Sequence, residues 1–148
     1  LVMRTLSKLG LAGLRLGFLV GSPAWIRQLD KVRLPYNINV LTQLAATHIL
    51  QQSAVLQAQA DILLAQRTFM QHALAALPDA RVFASRANFI LMQIPQANAI
   101  FSALKAQNIL IKCLHGAHPL LENTLRVTIG SPAENQQLLH ALHTILKG

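Results

Sequence analysis

Two short, nearly continuous apolar runs open this chain, Leu1–Leu6 and Leu14–Val20, each the length of a buried strand. The glycine-punctuated stretch Ser7–Gly13 between them reads as a loop. Ser22-Pro23 marks a helix start, with Ser22 as N-cap and Pro23 at the first helical position. That helix is expected to run to about Arg33, because the residue before Pro35 is pushed out of the α region. Tyr36-Asn37 is a turn. From about Val40 to Leu77 there is no Gly or Pro, and Ala, Leu and Gln dominate. This stretch predicts helix, in two segments or one long bent one. Beyond the turn Pro78-Asp79-Ala80, strands are expected at Arg81–Ala84 and Asn88–Ile94, a helix over Pro95–Gln107 and a short strand at Ile109–Lys112. A loop at His115–Asn123 leads to a strand of alternating character, Thr124–Ile129. Ser131 followed three residues later by Glu134 is a capping box, opening a helix that runs to about Leu146. The second half therefore predicts strand-strand-helix-strand-strand-helix, a modest α/β sandwich.

A length of 148 residues leaves room for about one ordinary domain. Hydrophobic residues make up 53% and charged residues 12%, with a mean hydropathy of +0.40. That balance is apolar for a free-standing soluble domain. The expectation is a piece of a larger protein, with part of its surface turned toward residues outside this sequence. No run approaches the roughly 18 apolar residues of a membrane span, and no signal peptide is expected. The net charge of +8 could draw nucleic acid or an anionic membrane. The cations are scattered, however, and no aromatic residues interleave with them, so neither is expected as a partner. The single cysteine, Cys113, excludes an internal disulfide and fits a reducing, cytoplasmic setting.

The run Met3–Gly17 changes the picture from architecture to chemistry. It places Ser7, Lys8 and Arg15 around a glycine-rich loop between two apolar segments. A lysine there can form a Schiff base with a carbonyl compound. A hydroxyl and a planar guanidinium can share the oxygens of a phosphate. Together they suggest a pocket for pyridoxal phosphate, whose reactivity the protein holds and tunes. With five acids in the chain, a carboxylate partner for Arg15 is scarce. The histidines offer less. Cys113, His115 and His118 lie close in sequence and His140 and His143 lie one helical turn apart, yet neither set makes a four-ligand zinc site, so no metal is expected.

Met3–Gly17 resembles the lysine segment of fold-type I pyridoxal-phosphate-dependent aminotransferases, the histidinol-phosphate aminotransferase branch in particular. The likeness continues in order through Lys31-Val32-Arg33-Leu34-Pro35-Tyr36-Asn37, Ala87-Asn88-Phe89-Ile90 and Leu121–Gly130. It spans essentially the whole chain and the back half of such an enzyme. One departure is the short Leu9-Gly10 stretch after the lysine, where many relatives carry one residue more. The resemblance implies that residues 1–57 end a large cofactor-binding domain and that residues 58–148 form a bridging helix and a small C-terminal domain. It implies Lys8 as the catalytic lysine that binds the cofactor and moves the substrate's α-proton, with Ser7 and Arg15 on the cofactor phosphate. It implies Arg126 as the grip on the substrate carboxylate. Alone, Arg126 would read as a strand-face arginine in water. Asn88 falls at a signature near the substrate, and backbone hydrogen bonding at a strand start is its equally simple role. Lys112 falls where relatives often carry a basic residue that helps hold a substrate phosphate. Tyr36 and Asn37 fall near the active site or subunit contact.

The implied reaction is amino transfer between L-histidinol phosphate and 2-oxoglutarate in histidine biosynthesis, by a homodimer. The acidic and aromatic partners of the cofactor precede the lysine in that family. Asp30 and Asp61 do not replace them, so this chain alone is expected to be inactive. Alternatives are an aromatic aminotransferase, a threonine-phosphate decarboxylase, or a non-catalytic remnant kept for binding or oligomerisation.

Overall fold

The computed structural model describes residues 1–147, except the side chain of Lys8. The chain divides into two units, Leu1–Ala60 and Asp61 onward.

In the first unit, β1 (Val2–Thr5) and β2 (Gly17–Val20) form an antiparallel pair with Thr5 opposite Gly17. A Cβ on Gly17 would stand 2.7 Å from the Arg4 carbonyl oxygen, so the close approach of the two strands requires glycine there. The expected second strand is three residues shorter at its start, because Ala12–Leu14 closes into a 3-10 turn and Arg15 takes a left-handed φ of 51°. Helix α1 (Pro23–Asp30) starts at Ser22 as expected, although the Ser22 side chain makes no capping hydrogen bond. It ends three residues before Arg33, where the Val32 N–H turns back to the Leu29 carbonyl.

The long helical stretch resolves into α2 (Val40–Leu50) and α3 (Ser53–Ala75). Asn39 caps α2, its Oδ1 accepting from the Thr42 N–H at 2.8 Å. The break at Gln51-Gln52 is a tight turn in which the Gln52 N–H bonds the Ile49 carbonyl. Apolar residues on both strands of the hairpin and on α2 remain exposed, Met3, Phe18 and Leu41 among them. A two-stranded ribbon has no second layer with which to bury its faces.

The second unit has four strands: β3 (Arg81–Val82), β4 (Phe89–Gln93), β5 (Lys112–Cys113) and β6 (Thr124–Thr128). Their order is β3-β4-β6-β5 and every pairing is antiparallel. Helices α4 (Ala97–Ala106) and α5 (Pro132–Lys147), together with the C-terminal part of α3, supply the rest of the core. Met70 and Leu74 of α3, Ile90 and Met92 of β4, Leu125 and Val127 of β6, Leu104 of α4 and Leu142 of α5 are fully buried.

The short strand expected at Ile109–Lys112 lies instead at Lys112–Cys113. The Ile109 N–H closes the end of α4 on the Leu104 carbonyl, and Ile109 and Ile111 are apolar because they pack on the core. Deleting core volume tests this assignment. Leu104→Ala is expected to cost about 2–5 kcal/mol in denaturant unfolding followed by circular dichroism, whereas Leu110→Ala at an exposed position is expected to stay within about 0.5 kcal/mol.

The capping box forms as expected. The Ser131 N–H and Ser131 Oγ both bond Glu134 Oε2 at 2.7 Å, and the Glu134 N–H returns to Ser131 Oγ at 3.4 Å. The backbone hydrogen bond, then the hydroxyl, hold the Glu134 carboxyl below its ordinary range. A carboxylate whose pKa is lower folded than unfolded contributes stability above its unfolded value and loses it as pH falls through the folded one. Glu134→Gln is therefore expected to destabilise the fold at neutral pH and to flatten the acid side of its stability profile below about pH 4, read as unfolding midpoints across that range.

Candidate functional site

The hairpin of the first unit ends in a polar tip. Its ladder closes with the Leu6 N–H on the Leu16 carbonyl, so the next residues outward are Ser7 on one side and Arg15 on the other. Thr5, not singled out from the sequence, shapes this tip. Its Oγ1 accepts from the Ser7 N–H at 3.1 Å and donates to Ser7 Oγ at 2.9 Å. Gly10 follows the turn Leu6–Leu9 with φ of 79°, a conformation open to glycine at little cost. Lys8 falls within that turn, and its side chain lies outside the described residues. Arg15 is exposed, with one long contact of 3.5 Å from Nη1 to the Ala12 carbonyl, and no carboxylate pairs with it among the described residues.

Hydroxyls and a guanidinium on the two sides of one hairpin tip are the donor types a phosphate takes. By that chemistry Ser7 and Arg15 fit the phosphate of pyridoxal phosphate. Asp30 is engaged elsewhere, bonding Arg33 Nε at 2.7 Å. Tyr36 is 96% exposed with a left-handed φ of 58°. Its turn and Leu16, the neighbour of Arg15, border one open cleft of about 510 Å³.

The second unit holds a different arrangement. In β6, Leu125 and Val127 point to the core, and Arg126 and Thr128 point to the other face of the sheet. Lys112 stands directly across from Arg126 on β5, and Leu91 stands across from it on β4. The Arg126 guanidinium carbon lies 5.3 Å from the centroid of the Phe89 ring, which orients the planar cation. Like charges facing each other across a strand pair oppose folding. No carboxylate relieves Lys112 or Arg126 among the described residues. An unrelieved pair of this kind is suited to an anion of high charge.

Asn88 immediately precedes β4, and its carbonyl accepts the Ile129 N–H at 2.9 Å. The turn before it is held by Ser85, whose Oγ accepts from the Ala87 N–H and donates to the Phe89 carbonyl at 2.6 Å. Asn88, Arg126 and Lys112 thus belong to one small sheet, while Ser7, Lys8, Arg15 and Tyr36 belong to the first unit.

Two of the histidines, His115 and His118, serve the loop between β5 and β6, whereas His140 and His143 lie on α5. His115 Nδ1 accepts the Asn123 N–H at 3.0 Å and His118 Nδ1 accepts the Leu120 N–H at 3.2 Å. Cys113 donates to Asn98 Oδ1. No group of three potential metal ligands occurs among the described residues, and no helix of these residues is long and apolar enough to cross a membrane.

The chain belongs to the aminotransferase class I and II family, whose sequence model matches residues 1–142. It is 57% identical over 145 residues to histidinol-phosphate aminotransferase 2 of Burkholderia pseudomallei (strain 1710b), covering 98% of this chain and 41% of that protein. The chain thus spans about two-fifths of the length of the curated relatives it matches. Among solved structures it is similar to histidinol-phosphate aminotransferase from Sinorhizobium meliloti in complex with pyridoxal-5'-phosphate, with a TM-score of 0.79 and 25% identity over 98% of this chain and 40% of that one. It is also similar to L-threonine-O-3-phosphate decarboxylase from Porphyromonas gingivalis, with a TM-score of 0.81 and 26% identity over 99% of this chain and 46% of that one.

Proposed function

We propose that this chain is the C-terminal portion of a pyridoxal-phosphate-dependent aminotransferase that passes an amino group between L-histidinol phosphate and 2-oxoglutarate. The observation that carries the reading is the cross-strand pair Lys112–Arg126, two unrelieved cations side by side on an exposed sheet face. A phosphate dianion meets both, and Arg126 alone offers a two-pronged grip to the carboxylate of the oxo acid. The likeness to curated histidinol-phosphate aminotransferases supports the same substrate. Residues 1–57 complete the large cofactor-binding domain and residues 58–148 form the bridging helix and small domain. Ser7 and Arg15 bind the cofactor phosphate, and Lys8 holds the cofactor and carries the proton taken from the substrate's α-carbon. Bound pyridoxal phosphate supplies the electron sink that makes this proton removable. Asn88, and more weakly Tyr36, contact the substrate. The working enzyme is a cytoplasmic homodimer, and the present chain by itself does not turn over.

The likeness to a threonine-phosphate decarboxylase favours a second reading, in which the same cations hold a phosphorylated amino acid that loses carbon dioxide. The full-length protein separates the two. With histidinol phosphate, O-phosphothreonine and an aromatic amino acid offered in turn, the highest kcat/KM is expected for histidinol phosphate, with no carbon dioxide released. Decarboxylation of phosphothreonine at a comparable rate, or a preference for the aromatic amino acid, overturns the assignment.

A further inference from the structure

Asn135 carries an amide on the apolar stripe of α5 that it shares with Leu138, Leu139 and Leu142, and it is only 1% exposed. A buried amide costs free energy unless its hydrogen bonds are made. All of those made by Asn135 go to two places. Its Oδ1 accepts the Gly130 N–H and its Nδ2 donates to the Gly130 carbonyl, each at 3.0 Å, and Nδ2 also donates to Gln66 Oε1 of α3 at 2.9 Å.

The pairing of β4 with β6 ends where the Ile129 N–H meets the Asn88 carbonyl. The next N–H along, that of Gly130, belongs to the opposite edge of β6, where β5 no longer runs alongside, and the Asn135 side chain takes it as a strand would. On the other side of that closing rung, Arg67 donates from Nη1 to the Ala87 carbonyl at 3.4 Å. Gln66 and Arg67 are neighbours on α3. The hydrogen bonds therefore close a ring: α3, Ala87-Asn88, Ile129-Gly130, Asn135 and back to α3. A Cβ on Gly130 would stand 2.8 Å from Glu134 Oε2, so a side chain there would displace the Glu134 carboxylate.

We propose that Gln66 and Asn135 are positioning residues for substrate binding. Through this ring they set the end of β6, and hence the direction in which Arg126 presents its guanidinium over the Phe89 ring. The inference rests on the anion-binding reading of Arg126. An error of about 1 Å in such a grip is enough to cost on the order of a hundredfold in productive binding.

The test uses the full-length holoenzyme with three substitutions. Gln66→Leu removes the acceptor for Asn135 Nδ2 at a position nearer the surface than Asn135 itself. Gln66→Glu keeps an acceptor of the same length. Arg126→Gln removes the grip. KM and kcat are measured for both substrates, the dissociation constant of 2-oxoglutarate is measured by calorimetry, and thermal midpoints are recorded. Gln66→Leu is expected to raise KM and the dissociation constant about tenfold with kcat within about twofold, and Gln66→Glu to restore both. A lowered thermal midpoint with unchanged KM and dissociation constant would make the ring structural only and overturn the proposal, as would failure of Gln66→Glu to rescue. If Arg126→Gln raises KM and Gln66→Leu does not, the positioning role falls while the anion reading stands. If Arg126→Gln leaves KM and the dissociation constant unchanged, the anion reading falls and the positioning role falls with it.

Discussion

Replacing Lys8 by alanine in the full-length protein is expected to lower kcat/KM for amino transfer by about 10⁴-fold or more. The magnitude follows from the two duties proposed for this one amine, a covalent hold on a carbonyl cofactor and the transfer of the α-proton. Neither Ser7 nor Arg15 can replace it, since a hydroxyl forms no Schiff base and a guanidinium does not give up its proton. Position matters as much as chemistry. Lys8 follows Ser7 in a turn pinned by Thr5 and closed by a left-handed Gly10, two residues beyond the last rung of the hairpin. Incubation with pyridoxal phosphate, borohydride reduction and peptide mapping gives a readout independent of turnover. The adduct is expected on the peptide containing Lys8 and is expected to vanish in Lys8→Ala. Lys31, whose Nζ bonds Gln28 at 2.8 Å, serves as the control: Lys31→Ala is expected to leave the labelling unchanged. Turnover within about tenfold of the unmodified protein in Lys8→Ala, or label spread evenly over the lysines, would remove Lys8 from the catalytic role.

The second large effect is expected at Arg126. Arg126→Gln deletes the proposed charge-assisted, two-pronged contact, worth about 2–3 kcal/mol, and KM for the oxo acid is expected to rise about 30- to 150-fold. Folding should not suffer in proportion, because Arg126 is exposed and faces Lys112 without a carboxylate between them. Removing one of two opposed cations relieves a repulsion of about 0.2–1 kcal/mol across the strand pair. Lys112→Ala is therefore expected to raise KM for the phosphorylated donor while leaving the unfolding midpoint unchanged or slightly higher. Opposite movement of stability and affinity is the signature of cations kept for an anion. A fall in both together would instead mark Lys112 and Arg126 as structural contributors to the sheet.

The local signals in this chain were strong where chemistry and geometry lie within a few residues. The Ser131–Glu134 capping box formed because both halves of it occupy one helical turn. Ser7 and Arg15 were legible as polar residues of one hairpin tip, although Thr5, which shapes the tip, carries no comparable signal. The break between α2 and α3 was only half legible. No Gly or Pro marks Gln51-Gln52, and both residues are good helix formers. The displaced strand β5 had a different cause. Ile109 and Ile111 carry the apolar signal of a strand because they pack on the core, whereas the pairing that makes a strand falls to Lys112 and Cys113 opposite β6.

By itself the sequence determined what depends on neighbours along the chain: the succession of elements, the caps, the glycine-rich tip and the residue types able to hold a phosphate. It also carried one overlooked sign, an asparagine on the leucine stripe of α5. Tertiary structure alone decided what depends on strand pairing. The register of β5 on β6 set Lys112 against Arg126, the register of β4 brought Phe89 beneath that guanidinium, and packing of α3 on α5 brought Gln66 to Asn135. Register is specified by which face of a whole sheet becomes buried, and a slip of one residue would turn the strand side chains Phe89, Lys112 or Arg126 to the other face. Such a choice is made by the core as a unit and is not written at any single position.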